Sequence, residues 1–572
     1  MPRWLAELCS PPWCGGVAAA VVASAVYANT LGHGFVFDDV QNIVQNRWIR
    51  STTHLAEIFS SHAAGFDPRF VTSYYRPLMH VAYLMTYSLA GLSPAVFHAV
   101  NVLLHAAVSF LAVILAGSLL ERLGPDETPA GGPMCLPLLV GLMFATHPAH
   151  TEAVAWLAGI TDLSFTLFGM LCILNYLRAT TMAGSLLSAV WLLLAALCKE
   201  PGVTVFLVLL CVEWCWARRS RVCPGQVLVR IGPAAGALAV YFVARIGALG
   251  TFAPSYGPHR YDLIDSILAG ATLFVDYLRT LVWPFSLNAL HVFRPIVGPW
   301  EPRVVLALGA CLAFGVALWW ATTRKVLLVA MVLVAGPLLP VLFTPVLGES
   351  VFAERYLYFP SFGFCLLAAL GGAATLRGSG RNRVALGAGV LLVVGVYGVM
   401  TMSRNMVWRD SLSLWSDVVR KVPDSAVAHE YLCAALYNAG RYAEAEASCL
   451  RSIDLDTTRV DARINLGNVL LVRGDLDGAL TLFDEALRRR RNAVWAWTSR
   501  GLALMAKGHT AMALESYRQA LSIDPNNAEA HNLLGVAYFH FGLRADAVKE
   551  LREAVRLAPD SADYRYNLDV AR

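Results

Sequence analysis

A series of apolar segments fills the first 404 residues and restricts the possible folds more than any other feature of the sequence. A helix needs about 20 predominantly apolar residues to cross the hydrocarbon core of a bilayer. By this criterion we count about eleven spans. Their approximate limits are 15–31, 94–120, 134–147, 162–179, 183–198, 201–217, 226–245, 303–321, 326–345, 356–374 and 384–402. The sequence therefore predicts an all-α, multi-span membrane domain over residues 1–404.

The composition agrees with a membrane protein and excludes some other classes. The chain is 57% hydrophobic and only 15% charged, whereas soluble domains are about 25% charged. A net charge of +5 is small for 572 residues and predicts no nucleic-acid partner. The twelve cysteines are scattered without the spacing of metal ligands, so we interpret them as small buried apolar residues and predict no disulfide framework.

Two segments are apolar but do not qualify as spans. Residues 77–91 are too short, and residues 262–287 carry Asp265, Asp276 and Arg279. We expect the first to lie at the membrane interface and the second to be interfacial or re-entrant. The first span, 15–31, is expected to remain in the mature protein, although a cleaved signal peptide is an alternative.

Basic residues indicate which ends of the spans face the cytoplasm. In our count the loops 218–221, 323–325 and 377–383 all fall on one side of the membrane. Lys and Arg are enriched in cytoplasmic loops. The loop 32–94 and everything after residue 404 are therefore predicted on the opposite, outer face.

A different periodicity begins near residue 408, where the hydrophobicity falls. Small residues recur every 34 positions at three offsets, which are Cys433, Gly467, Gly501 and Gly535, then Gly440, Gly474, Gly508 and Gly542, and then Ala445, Ala479, Ala513 and Ala547. This period is typical of tetratricopeptide repeats, each a pair of antiparallel helices. We predict four repeats within a domain at 405–572, with flanking helices at 408–420 and 560–572, because solenoids need capped ends.

Ionisable residues are placed where the predicted spans meet the outer face. Taken singly, each is explained as a helix end or a solvated loop residue. Together they favour a site, because ionisable groups near the membrane interior are rare and converge on one face here. They are Asp38, Asp39, Arg76, His147, His150, Glu152, Asp162, Lys199, Glu200, Arg245, Glu354, Arg355 and Tyr356.

Several of these residues lie in motifs that resemble one known family. The motifs are Phe37-Asp38-Asp39, Tyr75-Arg76-Pro77-Leu78, the run from His147 to Ala155, Cys198-Lys199-Glu200-Pro201-Gly202 and the run from Arg355 to Ser361. In this order, over the whole chain, they resemble the TMTC family, transmembrane proteins with tetratricopeptide repeats that are similar to protein O-mannosyltransferases of the GT-C fold. The chain has Ile160-Thr161 where family members usually have Arg-Ala, and its repeat array is shorter.

The resemblance implies a GT-C fold and an activity. It implies inverting transfer of a sugar, mannose in the family, from a polyprenyl or dolichyl phosphate to Ser or Thr hydroxyls of an acceptor protein. Asp38 matches the expected catalytic base and Asp39 a second acidic position that orients the site. The expected substrate-binding residues are Arg76, His147, His150, Glu152, Lys199, Glu200, Arg355 and Tyr356. No cofactor and no metal site are predicted, since the lipid-linked sugar is a co-substrate, although a divalent metal ion is not excluded.

Other functions remain compatible with the sequence. A membrane-anchored repeat scaffold without catalysis is one, and a lipid or polysaccharide glycosyltransferase is another. The solenoid favours a protein acceptor or partner, because its concave surfaces usually bind peptides. The membrane is either the endoplasmic reticulum or a bacterial inner membrane, with the repeats in the lumen or periplasm.

Overall fold

The computed structural model describes residues 12–67, 72–124, 136–217, 224–251, 263–292, 296, 298–342, 352–375 and 380–572. These residues form two compact units, one within residues 1–410 and the other at Ser411–Arg572. The all-α class is confirmed. In the described ranges the only β pairing is a single bridge between His291 and Phe352.

The described residues of the first unit form sixteen helices, joined in places by short 3-10 turns. They are α1 (Pro12–Tyr27), α2 (Leu55–Ser60), α3 (Pro77–Ala90), α4 (Pro94–Leu123), α5 (Leu136–Thr146), α6 (Thr151–Ala155), α7 (Ile160–Arg178), α8 (Met182–Cys198), α9 (Val205–Ala217), α10 (Pro224–Leu249), α11 (Leu263–Val282), α12 (Pro302–Trp320), α13 (Lys325–Ala335), α14 (Leu339–Leu342), α15 (Pro360–Thr375) and α16 (Gly380–Asn405).

Eight helical segments of the described chain are long and apolar enough to cross a membrane. They are Trp13–Gly32, Pro94–Leu123, Leu157–Arg178, Glu200–Ala217, Gly225–Leu249, Pro302–Thr323, Lys325–Leu342 and Gly387–Trp408. Three shorter apolar helices, Leu136–Thr146, Met182–Cys198 and Pro360–Ala374, coincide with the other three predicted spans. Helices α3 and α11 are not among the eight, and their placement at the interface stays a prediction. The basic residues 218–221 and 377–379 lie outside the described residues.

The core of this unit is built where α1, α4, α5 and α7 pack against one another. Buried residues of α4 form one apolar group with Val140 and Phe144 of α5 and Leu163 of α7. Gly141 permits a close approach of α5 to α4, because a Cβ there would overlap the side chain of Val113.

The second unit begins with α17 (Ser411–Lys421) and ends with α26 (Ala562–Ala571). Between them lie four antiparallel pairs, α18 (Ala426–Asn438) with α19 (Tyr442–Leu455), α20 (Val460–Val472) with α21 (Leu476–Arg489), α22 (Val494–Ala506) with α23 (Thr510–Ile523), and α24 (Ala528–His540) with α25 (Arg544–Leu557). The first helices of successive pairs contact one another. They therefore line a common face, as the predicted solenoid requires.

One contact closes each helix pair, and its form differs in the first repeat. A Cβ at Gly467, Gly501 or Gly535 would overlap Phe483, Tyr517 or Leu551, the residue 16 positions later. In the first repeat the equivalent residues, Cys433 and Cys449, form a disulfide with the same separation of 16. Our interpretation of all cysteines as unpaired apolar residues was wrong for this pair. Cys433 and Cys449 occupy the positions that Gly467 and Phe483 occupy in the second repeat.

Candidate functional site

The acidic loop after α1 contains a strained residue. Phe37 has φ 55°, and it is the only non-glycine residue with positive φ in the described part of the chain. Such a conformation costs about 1–3 kcal/mol and persists only where the surroundings hold it. The ring of Phe37 packs 5.9 Å from that of Trp156. The strain occurs immediately before Asp38, which is where a functional residue was predicted.

Asp39 ties the loop to the rest of the unit. Its side chain is buried, Val36 N donates to Oδ2 at 3.0 Å, and Ala158 N donates to Oδ1 at 3.1 Å. Burial raises the pKa of Asp39 well above its usual range, against these hydrogen bonds, which lower it. Both oxygens are used by the backbone, so Asp39 fixes the position of its neighbour.

Asp38 differs from Asp39 because, within the part of the chain that the structure describes, its carboxylate is not held by backbone hydrogen bonds of this kind. No hydrogen bond to its carboxylate is found among the described residues, and part of the side chain is accessible. Burial of the surroundings raises the pKa of Asp38 to about 6, while the nearby charge of Arg355 lowers it. The carboxylate is therefore available to accept a proton from a bound molecule.

A cluster of paired charges lies beside this loop. Arg355 forms an ion pair with buried Glu152, and the backbone N–H of Arg355 donates to the same carboxylate at 3.1 Å. The Arg355 guanidinium lies 5.0 Å from the centroid of the Trp156 ring. Arg355 follows α14 in a 3-10 turn, Glu354–Leu357, so chain segments distant in sequence meet here.

Lys199 forms the second pair of the cluster. Its Nζ lies 2.6 Å from each carboxylate oxygen of Asp162, and the two side chains are 2% and 1% exposed. The same Nζ lies 4.6 Å from the centroid of the Tyr356 ring. The Arg355 guanidinium lies 5.1 Å from that centroid, so the Tyr356 ring contacts two cations.

Arg76 forms the third pair, with Glu200. Arg76 Nε and Nη2 donate to Glu200 Oε2 at 2.9 and 2.8 Å, and Arg245 Nη1 lies 3.8 Å from Oε1. Tyr75 N also donates to Oε1 at 3.1 Å. The cluster thus contains four cations, Arg76, Lys199, Arg245 and Arg355, and four carboxylates, Asp38, Glu152, Asp162 and Glu200.

The structure does not bring His147 and His150 to this cluster. Both are fully buried, with His147 Nε2 3.1 Å from the carbonyl oxygen of Leu281 and His150 Nε2 2.6 Å from Ser361 Oγ. Burial lowers the pKa of His147 to about 4 and that of His150 well below its usual range. Both histidines are neutral parts of the packed interior.

The position that lacks the family arginine is also outside the cluster. Ile160 is buried in an apolar group with Leu157, Tyr83 and Phe97. In this chain the position therefore contributes an apolar contact and no charge. Within the described residues, no three His, Cys, Asp or Glu side chains are grouped to hold a metal ion.

Sequence reasoning missed Phe37 and Trp156 as parts of the site. Positive φ at a phenylalanine has no sequence signature, because the sequence pattern of a strained turn normally contains glycine. Trp156 directly follows the motif run from His147 to Ala155, and an aromatic residue at the end of a span is most simply a membrane-interface residue. The contacts of its ring with Phe37 and with Arg355 reveal its position.

Comparison with known proteins supports the two-part organisation. Models of the tetratricopeptide repeat match residues 408–460, 459–494 and 528–561, and a TPR repeat model matches 501–542. Protein O-mannosyl-transferase Tmtc1 of Drosophila melanogaster is 27% identical, over 81% of this chain and 64% of its own length. Human TMTC4 is 28% identical, over 75% and 64%.

The chain resembles the TMTC proteins over most of its length. Mouse TMTC3, also named a protein O-mannosyl-transferase, is 26% identical over 78% of this chain and 51% of its own. The chain thus spans less than two thirds of the length of these relatives. Among solved structures, that of MamA is 25% identical, with a TM-score of 0.23, and covers 27% of this chain and 90% of MamA.

Proposed function

We propose that this chain is a protein O-glycosyltransferase that moves mannose from a polyprenyl or dolichyl phosphate to Ser or Thr hydroxyls of an acceptor protein. One observation carries the proposal. Asp38 has a free carboxylate of raised pKa, while Asp39 next to it is held by the backbone, and paired cations lie beside both. The names of the TMTC relatives support the same activity.

Asp38 acts as the general base in the proposed reaction. The acceptor oxygen attacks the anomeric carbon, the bond from that carbon to the phosphate oxygen breaks, and Asp38 takes the hydroxyl proton. Attack opposite the leaving phosphate inverts the anomeric centre. A positioned base contributes about 10²–10⁴-fold to such a step. With a pKa of about 6, Asp38 is mostly ionised at neutral pH and more basic than an ordinary aspartate.

Arg76, Lys199 and Arg355 hold the departing phosphate. The phosphate gains negative charge as its bond to the sugar breaks, and fixed cations stabilise that charge without reorganising. Their carboxylate partners keep them in place before the donor arrives. Because these cations supply the charge that a metal ion would otherwise provide, we propose that the reaction needs no cofactor, and transfer should persist in EDTA.

The lipid carrier accounts for a site next to membrane-spanning helices. Bringing a polyprenyl tail into water costs about 0.8 kcal/mol per CH₂ group. A donor that keeps its tail in the bilayer and presents only its phosphate avoids this cost. The outer ends of the helices, where the polar cluster is predicted to lie, are the appropriate depth.

We propose that the repeats lie in the lumen or periplasm. Arg324 and Lys325 are basic residues of a loop predicted to be cytoplasmic, and the Cys433–Cys449 disulfide is typical of an oxidising compartment. Asp477, which is 86% exposed, offers a test. An Asp477→Cys variant should react with an impermeant maleimide in sealed vesicles with the lumen outside, and wild type is the control. Reaction only after permeabilisation would contradict this sidedness.

The repeats are proposed to bind the acceptor or a partner protein. Successive first helices line one face of the array, and such faces usually bind peptides. A chain with this face but no transferase activity would be a membrane-anchored scaffold. Transfer to a lipid or polysaccharide would use the same base and cations.

The decisive experiment is transfer from a polyprenyl-phosphate sugar to acceptor protein by the purified chain in detergent. Asp38→Asn should lower the rate about 10²–10⁴-fold, because the amide cannot accept the proton. The matched control is Asp569→Asn, which changes a carboxylate that is 71% exposed in the last helix and should leave the rate unchanged. A folded Asp38→Asn protein with the wild-type rate would exclude Asp38 as the base. Absence of transfer from any polyprenyl-phosphate donor, with acceptor binding retained, would favour the scaffold.

A further inference from the structure

Lys199 is a buried lysine whose charge depends on its surroundings. It lies between α8 and the turn Glu200–Thr204, and its side chain is 2% exposed. Removing a lysine from water favours the neutral amine, and fully buried lysines can lose their proton at neutral pH. A neutral amine would donate a hydrogen bond to a phosphate but would contribute no positive charge.

The other ionisable groups that face Lys199 oppose its charge or are used elsewhere. Arg76 and Arg355 are cations near enough to disfavour a third positive charge. Tyr356 presents its ring to the ammonium group. Glu200, the next residue in the chain, is paired with Arg76 and Arg245.

Asp162 is the carboxylate that bonds to Lys199. It projects from the first turn of α7, and both of its oxygens lie 2.6 Å from Lys199 Nζ. Burial lowers the pKa of Lys199, Asp162 raises it, and the two arginines lower it, with a resulting pKa of about 8. Without Asp162, burial and the two arginines favour the neutral amine, and only the contact with the Tyr356 ring favours the charged form.

We propose that Asp162 is a positioning residue, which keeps Lys199 protonated and directed at the phosphate of the lipid-linked donor. This role rests on the proposed function, because it requires a phosphate beside Lys199. Asp162 itself touches neither the sugar nor the acceptor in this arrangement. It acts only through the lysine, which distinguishes it from Asp38.

The test is the pH dependence of phosphate binding. Farnesyl phosphate, a short polyprenyl monophosphate, is titrated into the full-length protein in detergent between pH 6 and pH 9. The affinity of Lys199→Met as a function of pH reports the titration of the probe and of all groups other than the lysine. The difference between wild type and this variant therefore gives the contribution of Lys199. Wild-type affinity relative to Lys199→Met should fall as the pH rises through about 8.

In Asp162→Asn this fall should move to lower pH by at least one unit. For a shift of one unit the variant should bind about threefold more weakly than wild type at pH 7.5, and the two should converge at pH 6. Asp162→Glu should restore part of the wild-type profile, since it returns a carboxylate. An Asp162→Asn protein with the wild-type midpoint would overturn the role of Asp162 and leave the proposed function intact.

A second variant keeps the test decisive if Asp162→Asn does not fold. Arginine stays charged without a carboxylate partner. Lys199→Arg combined with Asp162→Asn should therefore bind farnesyl phosphate without the fall near pH 8, and weak binding by this folded double variant would contradict the proposal. If wild type does not bind farnesyl phosphate at any pH, the proposed donor site is wrong, and the role of Asp162 with it.

Discussion

The second unit, which contains the repeats and is here called the repeat unit, and the first unit, which contains the candidate spans and is here called the membrane unit, form their closest contacts in different ways. In the repeats, one contact recurs at a fixed separation of 16 residues, as a glycine against a larger side chain or as a disulfide. In the membrane unit, each ion pair of the cluster has its own chemistry. Arg355 and Glu152 are 203 residues apart, Arg76 and Glu200 are 124 apart, and Lys199 and Asp162 are 37 apart.

This difference separates two kinds of information. The contact between residues 16 positions apart recurs in every repeat, so the contact in one repeat predicts the equivalent contact in the next. Each ion pair of the charge cluster joins distant segments and has no equivalent elsewhere in the sequence. Every partner in such a pair is needed to balance a buried charge. We therefore expect loss of a partner to cost more in the membrane unit than in the repeats.

Arg355→Met should have the largest effect on stability. It leaves the Glu152 carboxylate buried, at 2% exposure, without its ion pair. Breaking a buried pair from one side costs about 3–5 kcal/mol. The double variant Arg355→Met with Glu152→Gln should recover much of this loss, because the unpaired charge is gone. Thermal unfolding in detergent measures both, and equal midpoints for the single and double variants would contradict the comparison.

Cys433→Ser with Cys449→Ser should destabilise the first repeat by about 2–4 kcal/mol, because the disulfide restrains the unfolded chain. Hydrogen exchange of α18 and α19 in the full-length protein measures the loss. Cys433→Gly with Cys449→Phe introduces the contact that the second repeat uses between Gly467 and Phe483. It should protect these helices better than the serine variant, and equal protection would show that the repeats are not interchangeable.

Gly501→Leu should overpack the third repeat by about 1–3 kcal/mol, because even a Cβ would overlap the Tyr517 ring. Adding Tyr517→Ala should recover part of the loss by making room. Hydrogen exchange in α22 and α23 is the measurement. A Gly501→Leu protein with wild-type protection would show that the assigned register of the repeat is wrong.

The last prediction is the pH dependence of stability conferred by Asp38. Burial raises its pKa to about 6, so the ionised carboxylate disfavours folding above that pH and the protonated form does not. Asp38→Asn should therefore unfold at a slightly higher temperature than wild type at pH 7. The gain should develop between about pH 4 and pH 6 and be absent below that range. A gain that did not change with pH would contradict the raised pKa.

The sequence predicted the architecture well, because spans and repeats are written in local patterns. The length of the apolar segments predicted the positions of the helices. The 34-residue period predicted the place of Gly501 in its repeat, but it did not predict the residue that Gly501 contacts. The site was predicted less completely. The convergence of ionisable residues on the predicted outer face identified Asp38, Arg76, Lys199 and Arg355 as candidates. It did not predict which residues form ion pairs with one another. His147 and His150 illustrate the limit, since a polar residue inside a motif can equally be a hydrogen-bonded part of the core.

The balance of four cations and four carboxylates has a consequence for the proposed reaction. A lipid phosphodiester donor carries one negative charge, and the polyprenyl phosphate that leaves carries two. Asp38 is ionised before transfer and neutral after it has taken the acceptor proton. The total charge enclosed by Arg76, Lys199, Arg245, Arg355 and their partners is thus the same before and after the sugar moves. Changing the net charge of a poorly solvated region is costly, and the transfer step avoids this cost because it leaves the net charge of the site constant. The cost arises at product release instead, when the proton and the dianion must depart separately.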